Sequence, residues 1–335
     1  MQILITGALG FIGYHLSERL LKEGFDIVGI DNINDYYDPS LKRNRLIQLE
    51  EACSQKNSNF DFQKIDISNS QDLMKLFKKN NFKIVINLAA QAGVRNSIEN
   101  PYSYADSNIT GFLNILEACR FNKPDHLIFA SSSSVYGMNV KTPFSVTDNT
   151  DFPISLYAAT KKSNELMAHA YAHLYEIPIT GLRFFTVYGP FGRPDMAYFK
   201  FTKDILDGNP IDVFNNGNME RDFTYIDDIV EGIYRLLQKS PKLLNTLITN
   251  SNAPFKVYNI GNNNPVKLAR FIEAIEKSTG KRAVKNNMPM QPGDVPITYA
   301  DIDDLMQDID FKPEISIEQG IENFVQWYSN YYNVS

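Results

Sequence analysis

The strongest constraint on the fold stands near residue 1. Met1-Gln2-Ile3-Leu4-Ile5-Thr6 is a short apolar, β-branched run that stops at Gly7, and Gly7-Ala8-Leu9-Gly10-Phe11-Ile12-Gly13 leads straight into a helical pattern over Phe11 to Glu23. An apolar run ended by glycine reads as a buried parallel strand. Glycines between such a strand and a helix allow a sharp turn that brings backbone N–H groups and the positive end of the helix dipole against a pyrophosphate. Three glycines also serve as plain turn chemistry, so the weight lies in their position at the opening of a βα unit, which argues for a dinucleotide site.

The alternation continues downstream. Strand Asp26 to Ile30 ends in Asp31, about twenty residues past the loop, where a carboxylate accepts hydrogen bonds from a ribose diol and repels a 2′-phosphate, favouring NAD over NADP. A turn or cap Asp is the alternative. Residues Asn32 to Asn59 read as a long connection holding Asp35-Tyr36-Tyr37-Asp38-Pro39 and the basic run Lys42-Arg43-Asn44-Arg45, a pattern typical of a solvated helix face. Strand Phe60 to Ile65 precedes Asp66-Ile67, where an adenine edge lies in this architecture. Helix Gln71 to Lys79 leads to strand Phe82 to Leu88 and then Ala89-Ala90-Gln91-Ala92-Gly93-Val94-Arg95, small residues that admit a flat cofactor or simply pack tightly.

Helix Tyr102 to Arg120 and strand Leu127 to Ala130 run into Ser131-Ser132-Ser133-Ser134. Four hydroxyls there are costly to bury without a ligand, unless the turn is solvated. A helix from Ser155 to Tyr175 and strand Ile177 to Phe184 complete an α/β pattern that predicts a doubly wound parallel sheet. Beyond it, prolines and glycines punctuate shorter elements up to a last helix near Glu318 to Tyr331. Helix Asp227 to Lys239 and strand Lys256 to Ile260 return to the sheet. We therefore expect residues 1–184 with 225–262 to form a Rossmann-like dinucleotide domain, and 185–224 with 263–335 a smaller substrate lobe.

Tyr157 and Lys161, four residues apart, share one helical face, which puts the ammonium near the phenol. A phenol titrates near ~10, and a nearby positive charge favours the phenolate, giving a base able to take a proton from a sugar hydroxyl. His169 and His173 have metal-ligand spacing, yet no further ligand cluster accompanies them, so they read as a helix-surface pair and no metal is expected. The net charge of −6 argues against a nucleic-acid face. Cys53 and Cys119 form no disulfide framework, which fits a reducing cytoplasm. No apolar run approaches the ~20 residues of a membrane span, and with a glycine loop starting at residue 7 no signal peptide or anchor is expected.

Together Gly7-x-x-Gly10-x-x-Gly13, Asp31, Asp66, the Ser131 to Ser134 run and Tyr157-x-x-x-Lys161 resemble the extended short-chain dehydrogenase/reductase family over nearly the whole chain. Within it the chain looks most like the nucleotide-sugar 4-epimerases acting on UDP-glucuronate. The closer match is carried by Asp35 to Arg43, Ala89 to Arg95, Arg183-Phe184-Phe185-Thr186-Val187-Tyr188-Gly189-Pro190 and Gln291-Pro292-Gly293-Asp294-Val295. The resemblance implies tightly bound NAD, Tyr157 as the base at the sugar 4-hydroxyl, Ser132 as the hydroxyl that binds the reacting oxygen, and Lys161 on the nicotinamide ribose. It implies a cofactor set of Gly7, Gly10, Phe11, Ile12, Gly13, Asp31, Asn32, Asp66, Ile67, Leu88, Ala89, Ala90, Gln91, Asn108, Tyr157, Lys161 and Val187. For a UDP-sugar it implies Arg95, Ser132, Ser133, Ser134, Thr186, Arg193, Val213, Phe214, Arg221, Gln291 and Asp294.

Two positions bear on the reaction. The related 4,6-dehydratases carry Asp-Glu just before Val-Tyr-Gly, as the acid and base of elimination, and this chain has Ser133-Ser134 there. UDP-glucuronate decarboxylases also place Glu at the second of these positions. Thr186 stands where UDP-galactose epimerases and decarboxylases usually have Asn. Asn96, Phe191 and Gln291 depart from residues common in the relatives, and none is a catalytic group. The family commonly pairs its equivalents of helices Tyr102 to Arg120 and Ser155 to Tyr175 across a four-helix bundle, so a homodimer is expected.

Overall fold

Residues 1–54, 58–243, 252–291 and 293–334 are described by a computed structural model of the chain. Residues 55–57 of the expected connection and Pro292 of the Gln291-Pro292-Gly293 stretch lie outside them. The chain opens with β1 (Gln2–Thr6), α1 (Phe11–Lys22), β2 (Asp26–Asp31), α2 (Pro39–Ser54), β3 (Phe60–Lys64), α3 (Ser70–Lys79) and β4 (Ile84–Asn87). Short helices α4 (Asn96–Glu99) and α5 (Pro101–Tyr104) then lead through a π turn at Ala105–Thr110 into α6 (Gly111–Asn122). β5 (His126–Ser132), α7 (Leu156–Tyr175) and β6 (Ile179–Phe184) follow, then β7 (Thr186–Tyr188), α8 (Ala197–Asp207), β8 (Ile211–Val213), β9 (Glu220–Tyr225) and α9 (Ile226–Leu236). The last elements are β10 (Phe255–Ile260), β11 (Pro265–Lys267), α10 (Leu268–Thr279), β12 (Lys285–Asn287), α11 (Asp303–Ile309) and α12 (Ile317–Tyr332).

Seven strands form a parallel sheet in the order β10-β6-β5-β4-β1-β2-β3. The order reverses beside β1, and in an open parallel sheet that switch opens a crevice at the carboxyl ends of the strands. Alternation along β1 sends Ile3 and Ile5 into the core on one face and Leu4 into the core on the other, so both faces are covered by helices. β11, β9 and β7 form a small second sheet, and β12 pairs with β8.

Three expectations need correction. The connection after Asp31 contains the sixteen-residue helix α2, and its basic run is no solvated face, because Lys42 is 6% exposed and Arg45 fully buried. The expected helix from Tyr102 to Arg120 is helical throughout, but it is wound as a π turn over Ala105–Thr110 rather than as one regular α-helix. There Gly111 packs so closely on Ile67 that a Cβ would lie 2.7 Å from its Cγ1, while Asn108 is turned inward to hold neighbouring backbone. β5 also runs past Ala130, because Ser131 and Ser132 pair in register with Arg183 and Phe184.

Candidate active site

A cavity runs along the crevice from the glycine loop to α7. Its floor is bare backbone. A Cβ on Gly7, at φ 67°, would lie 2.8 Å from Ala89 N, and one on Gly13 would lie 2.1 Å from Gly7 O, so the loop closes on the end of β4 only because these residues are glycine. Thr6 ties the two strand ends together, donating to Asn87 Oδ1 at 2.7 Å and accepting from Ala89 N at 3.1 Å. This cradle, with a helix N-terminus behind it, fits a dinucleotide diphosphate.

One end of the cavity is acidic. Buried Asp31 accepts from Ile33 N at 2.8 Å and from Lys42 Nζ at 3.2 Å. Asp66 accepts from Asn32 Nδ2 at 2.8 Å and from Ser68 Oγ at 2.7 Å. Burial raises the Asp66 carboxyl, but these hydrogen bonds outweigh it and hold the group below its ordinary value. Two carboxylates suit a ribose diol and an adenine amino group and leave no welcome for a further phosphate.

The other end holds Ser132, Tyr157 and Lys161. α7 starts at Ser155, whose Oγ caps Ala158 N at 3.1 Å, so Tyr157 and Lys161 lie in its first two turns beside β5. Ser132 closes β5 and accepts from Ser134 N at 3.2 Å, which leaves its hydroxyl at the cavity edge. Desolvation raises the Tyr157 phenol above its ordinary value, and the hydrogen bond with Ser132 and the charge of Arg193 pull it back. The expected closeness of Lys161 to that phenol is looser than its spacing implies. Its Nζ donates to Ala130 O at 2.8 Å and stands 6.0 Å from the centre of the Tyr157 ring, and burial pushes the amine down to about 8. The cation that acts on the phenol is Arg193, held by Asp195 at 3.0 and 2.5 Å, with Tyr36 OH donating to the same carboxylate at 3.1 Å.

Of the expected cofactor set, all but Asn108 line the cavity. Asn108 stands behind Gln91, accepting from its N–H at 2.8 Å and donating to its carbonyl at 3.0 Å, a clamp that fixes the loop after β4. Of the sugar set, Ser132 and Arg193 line it, whereas Ser133, Ser134 and Thr186 lie half-buried beyond its wall. Arg95, Val213, Phe214, Arg221, Gln291 and Asp294 lie outside the lining too. Arg95 pairs with Asp294 at 3.1 Å and lies over the Phe214 ring at 5.1 Å. Burial lowers the Arg221 guanidinium, with Asp294 opposing. Gln291 Oε1 is buried without a partner among the described residues.

Sequence reasoning passed over Tyr36, Tyr37 and Lys42, which wall the cavity. Their signal was a Tyr-Tyr pair followed by a basic run directly after the ribose-position Asp31. His169 meets the Phe255 ring edge-on at 5.4 Å, and among the described residues no group of His, Cys, Asp or Glu has the geometry to hold a metal. No described helix is long and apolar enough to cross a membrane.

Residues 4–324 match the family model described as GDP-mannose 4,6 dehydratase. Protein CapI of Staphylococcus aureus is 59% identical over 99% of both chains. A probable UDP-glucuronate 4-epimerase of Rhizobium meliloti is 48% identical over 99% of this chain and 98% of that protein. The crystal structure of UDP-glucuronic acid 4-epimerase from Bacillus cereus, in complex with UDP-glucuronic acid and NAD, superposes with a TM-score of 0.86 at 37% identity, over 99% of this chain and all of that one. With the fold, the glycine cradle and the Ser132, Tyr157 and Lys161 cluster in agreement, the chain belongs to the GDP-mannose 4,6 dehydratase family, among the extended short-chain dehydrogenase/reductase proteins that include the UDP-glucuronate 4-epimerases.

Proposed function

We propose that the protein interconverts UDP-glucuronate and UDP-galacturonate by inverting C4, with NAD resident in the cavity. The observation that carries this reading is the meeting of Ser132, Tyr157 and Lys161 at the end of a cavity whose far end is the Asp31 and Asp66 pocket. Residues 1–184 with 225–262 would carry the dinucleotide, and 185–224 with 263–335 the nucleotide sugar.

NAD held in this cavity would supply reversible hydride chemistry at C4, the carbon whose hydroxyl proton the chain's own residues move. The chain's own residues handle the proton and the geometry. Tyr157 takes the O4 proton and gives it back, and Ser132 holds O4 by a hydrogen bond, while Lys161 fixes the nicotinamide ribose. Asp31, Asn32, Asp66 and Ile67 hold the adenosine end. Arg221, with Arg95, Gln291 and Asp294 near it, receives the diphosphate, and Val213 and Phe214 flank the uracil side.

The family's name denotes a dehydratase, yet elimination needs an acid and a base beside the sugar, and Ser133 and Ser134 are neither at neutral pH. Their hydroxyls suit a carboxylate instead. The 4-keto sugar is a β-keto acid, which loses carbon dioxide only when the breaking bond aligns with the carbonyl π system. Ser133, Ser134 and Thr186, together with Arg193 from the cavity lining, would hold the carboxylate out of that alignment.

Proton NMR of purified protein with UDP-glucuronate and no added reductant tests the reading. Growth of UDP-galacturonate signals is expected. An inert uronate beside UDP-glucose turning into UDP-galactose would leave the fold and the Tyr157 chemistry standing and remove the carboxylate pocket. Thr186→Ala is expected to increase a UDP-pentose by-product, and an unchanged product ratio would remove Thr186 from that pocket.

The reading extends to a cytoplasmic homodimer. Tyr102 before the π turn, Phe121 on α6, and Leu166 and Leu174 on α7 are between 61% and 84% exposed, an apolar face that a second copy covers by pairing these helices. Leu166→Asp combined with Leu174→Asp is expected to halve the mass seen by light scattering at micromolar concentration. A wild-type monomer, or a double variant of unchanged mass, would rule the bundle out.

A further inference from the structure

Arg45 on α2 is a fully buried cation that no carboxylate pairs with among the described residues. Its Nη1 donates to Leu9 O and to Tyr37 OH, both at 2.7 Å. Its Nη2 donates to Phe191 O and, at 3.4 Å, to Gly192 O. Nε is left without a partner. Burying a guanidinium among neutral acceptors is costly, so a position that keeps one there needs a reason. Those acceptors belong to three separate loops: the glycine loop, the turn after β2, and the segment that leads to Arg193. Arg45 itself lines no part of the cavity.

The third loop needs holding. Phe191 sits at φ 51°, in the left-handed region that non-glycine residues rarely occupy. A Cβ on Gly192 would lie 2.0 Å from Tyr198 OH, which also accepts from Arg193 N at 3.1 Å. His15 of α1 fastens the preceding residue, its Nε2 lying 2.8 Å from Pro190 O. A carbonyl only accepts, so Nε2 carries the proton. Burial pushes His15 down to about 4, which keeps the ring neutral and that tautomer fixed at pH 7.

We propose that Arg45 is a positioning residue for Arg193: by tying the carbonyls of Phe191 and Gly192 to the glycine loop and Tyr37, it makes the dinucleotide half of the crevice set the place of the cation that faces the sugar. This rests on the reading of Arg193 as a sugar ligand given above. The chain's single tryptophan reports on the same loop, because Trp327 packs on the Phe191 ring with centroids 4.9 Å apart.

The test compares wild type with Arg45→Met, Arg45→Lys, Arg193→Met and the Arg45→Lys/Arg193→Met double variant, all as full chains with NAD supplied. UDP-glucuronate KM and kcat, and acrylamide quenching of Trp327, are the readouts. Arg45→Met is expected to raise KM by roughly ten- to a hundredfold, with kcat reduced less, and to make Trp327 easier to quench. Arg45→Lys, which retains the charge but reaches fewer acceptors, should fall between. Should Arg45→Met fail to fold, Arg45→Lys is judged by the same readouts. Arg193→Met should raise KM with quenching unchanged, and adding Arg45→Lys to it should cost nothing more, since residues acting through one another are not additive. Wild-type KM and quenching in the foldable Arg45 variants, or losses that add to those of Arg193→Met, would overturn the proposal. A wild-type protein inert on UDP-glucuronate defeats the functional reading instead, and the quenching arm still decides what Arg45 holds.

Discussion

Tyr157→Phe is expected to slow UDP-glucuronate turnover by roughly 10²–10⁴-fold, the span by which a positioned proton-transfer group accelerates a reaction, with the fold and sugar affinity retained. The substitution removes one oxygen from a ring whose place is set by other contacts. Ser155 caps the helix beneath it, and Tyr104 meets the ring edge-on at 6.1 Å. Ser132 keeps its bond from Ser134 N when the phenol oxygen is gone, so little unsatisfied polarity is created. Calorimetric binding of UDP-glucuronate and the thermal midpoint should therefore stay near wild type while the NMR progress curve flattens. A variant that keeps more than a tenth of the rate would move the base elsewhere, and the half-buried Tyr36 would be the next phenol to examine.

Why Tyr157 and the glycine loop can be recognised from spacing, while Arg45 cannot, has a physical reason. Gly7, Gly10 and Gly13 are needed by local turn geometry, Asp31 by the length of one βα unit, and the Tyr157 and Lys161 pair by one helical turn. Each depends on neighbours within a few residues, so the string carries it. Lys42 and Arg45 sit in a run that looks solvated, and their burial follows from α2 lying beneath the loop around Phe191, almost 150 residues away in the chain. The π turn likewise depends on Ile67 meeting Gly111 across the fold. The direction of Lys161 was missed for the same reason, since its acceptor, Ala130 O, is supplied by another strand. Thr186, Ser133 and Ser134 are legible by family pattern only, because their proposed role is toward a sugar carboxylate and not toward chain neighbours, and the Thr186→Ala product ratio tests it.

Lys161→Met is expected to lower turnover by roughly 10²-fold or more, the scale of losing a preorganised polar group in an active site, and at the same time to make the NAD-stripped protein more stable at neutral pH. The side chain is 2% exposed, and among the described residues no carboxylate pairs with it: its ammonium donates to the neutral carbonyl of Ala130. Burial disfavours the ammonium, which is why the amine falls from 10.5 to about 8. At 1.36 kcal/mol for each pKa unit, that drop makes the charged side chain cost the fold at most about 3 kcal/mol. Losing the bond to Ala130 O returns about 1 kcal/mol of that, and methionine fills a similar volume, so a net gain of about 1–2 kcal/mol remains. The sign with pH follows from the direction of the shift. The folded-state pKa lies below the unfolded one, so for a base the cost is complete below about pH 8, shrinks between 8 and 10.5 as the folded protein sheds the proton first, and is gone above that window. The advantage of the variant in chemical denaturation should be largest at pH 7, shrink above pH 8 and reverse before pH 10.5, where only the lost Ala130 bond remains. A stability difference that ignores pH would mean that packing sets it rather than charge. A variant less stable at pH 7 would mean that the Ala130 bond outweighs the cost of burying the ammonium. Either result would break the link argued here, that the residue holding the nicotinamide ribose is kept charged in a dry site at the expense of stability because the reaction requires it there.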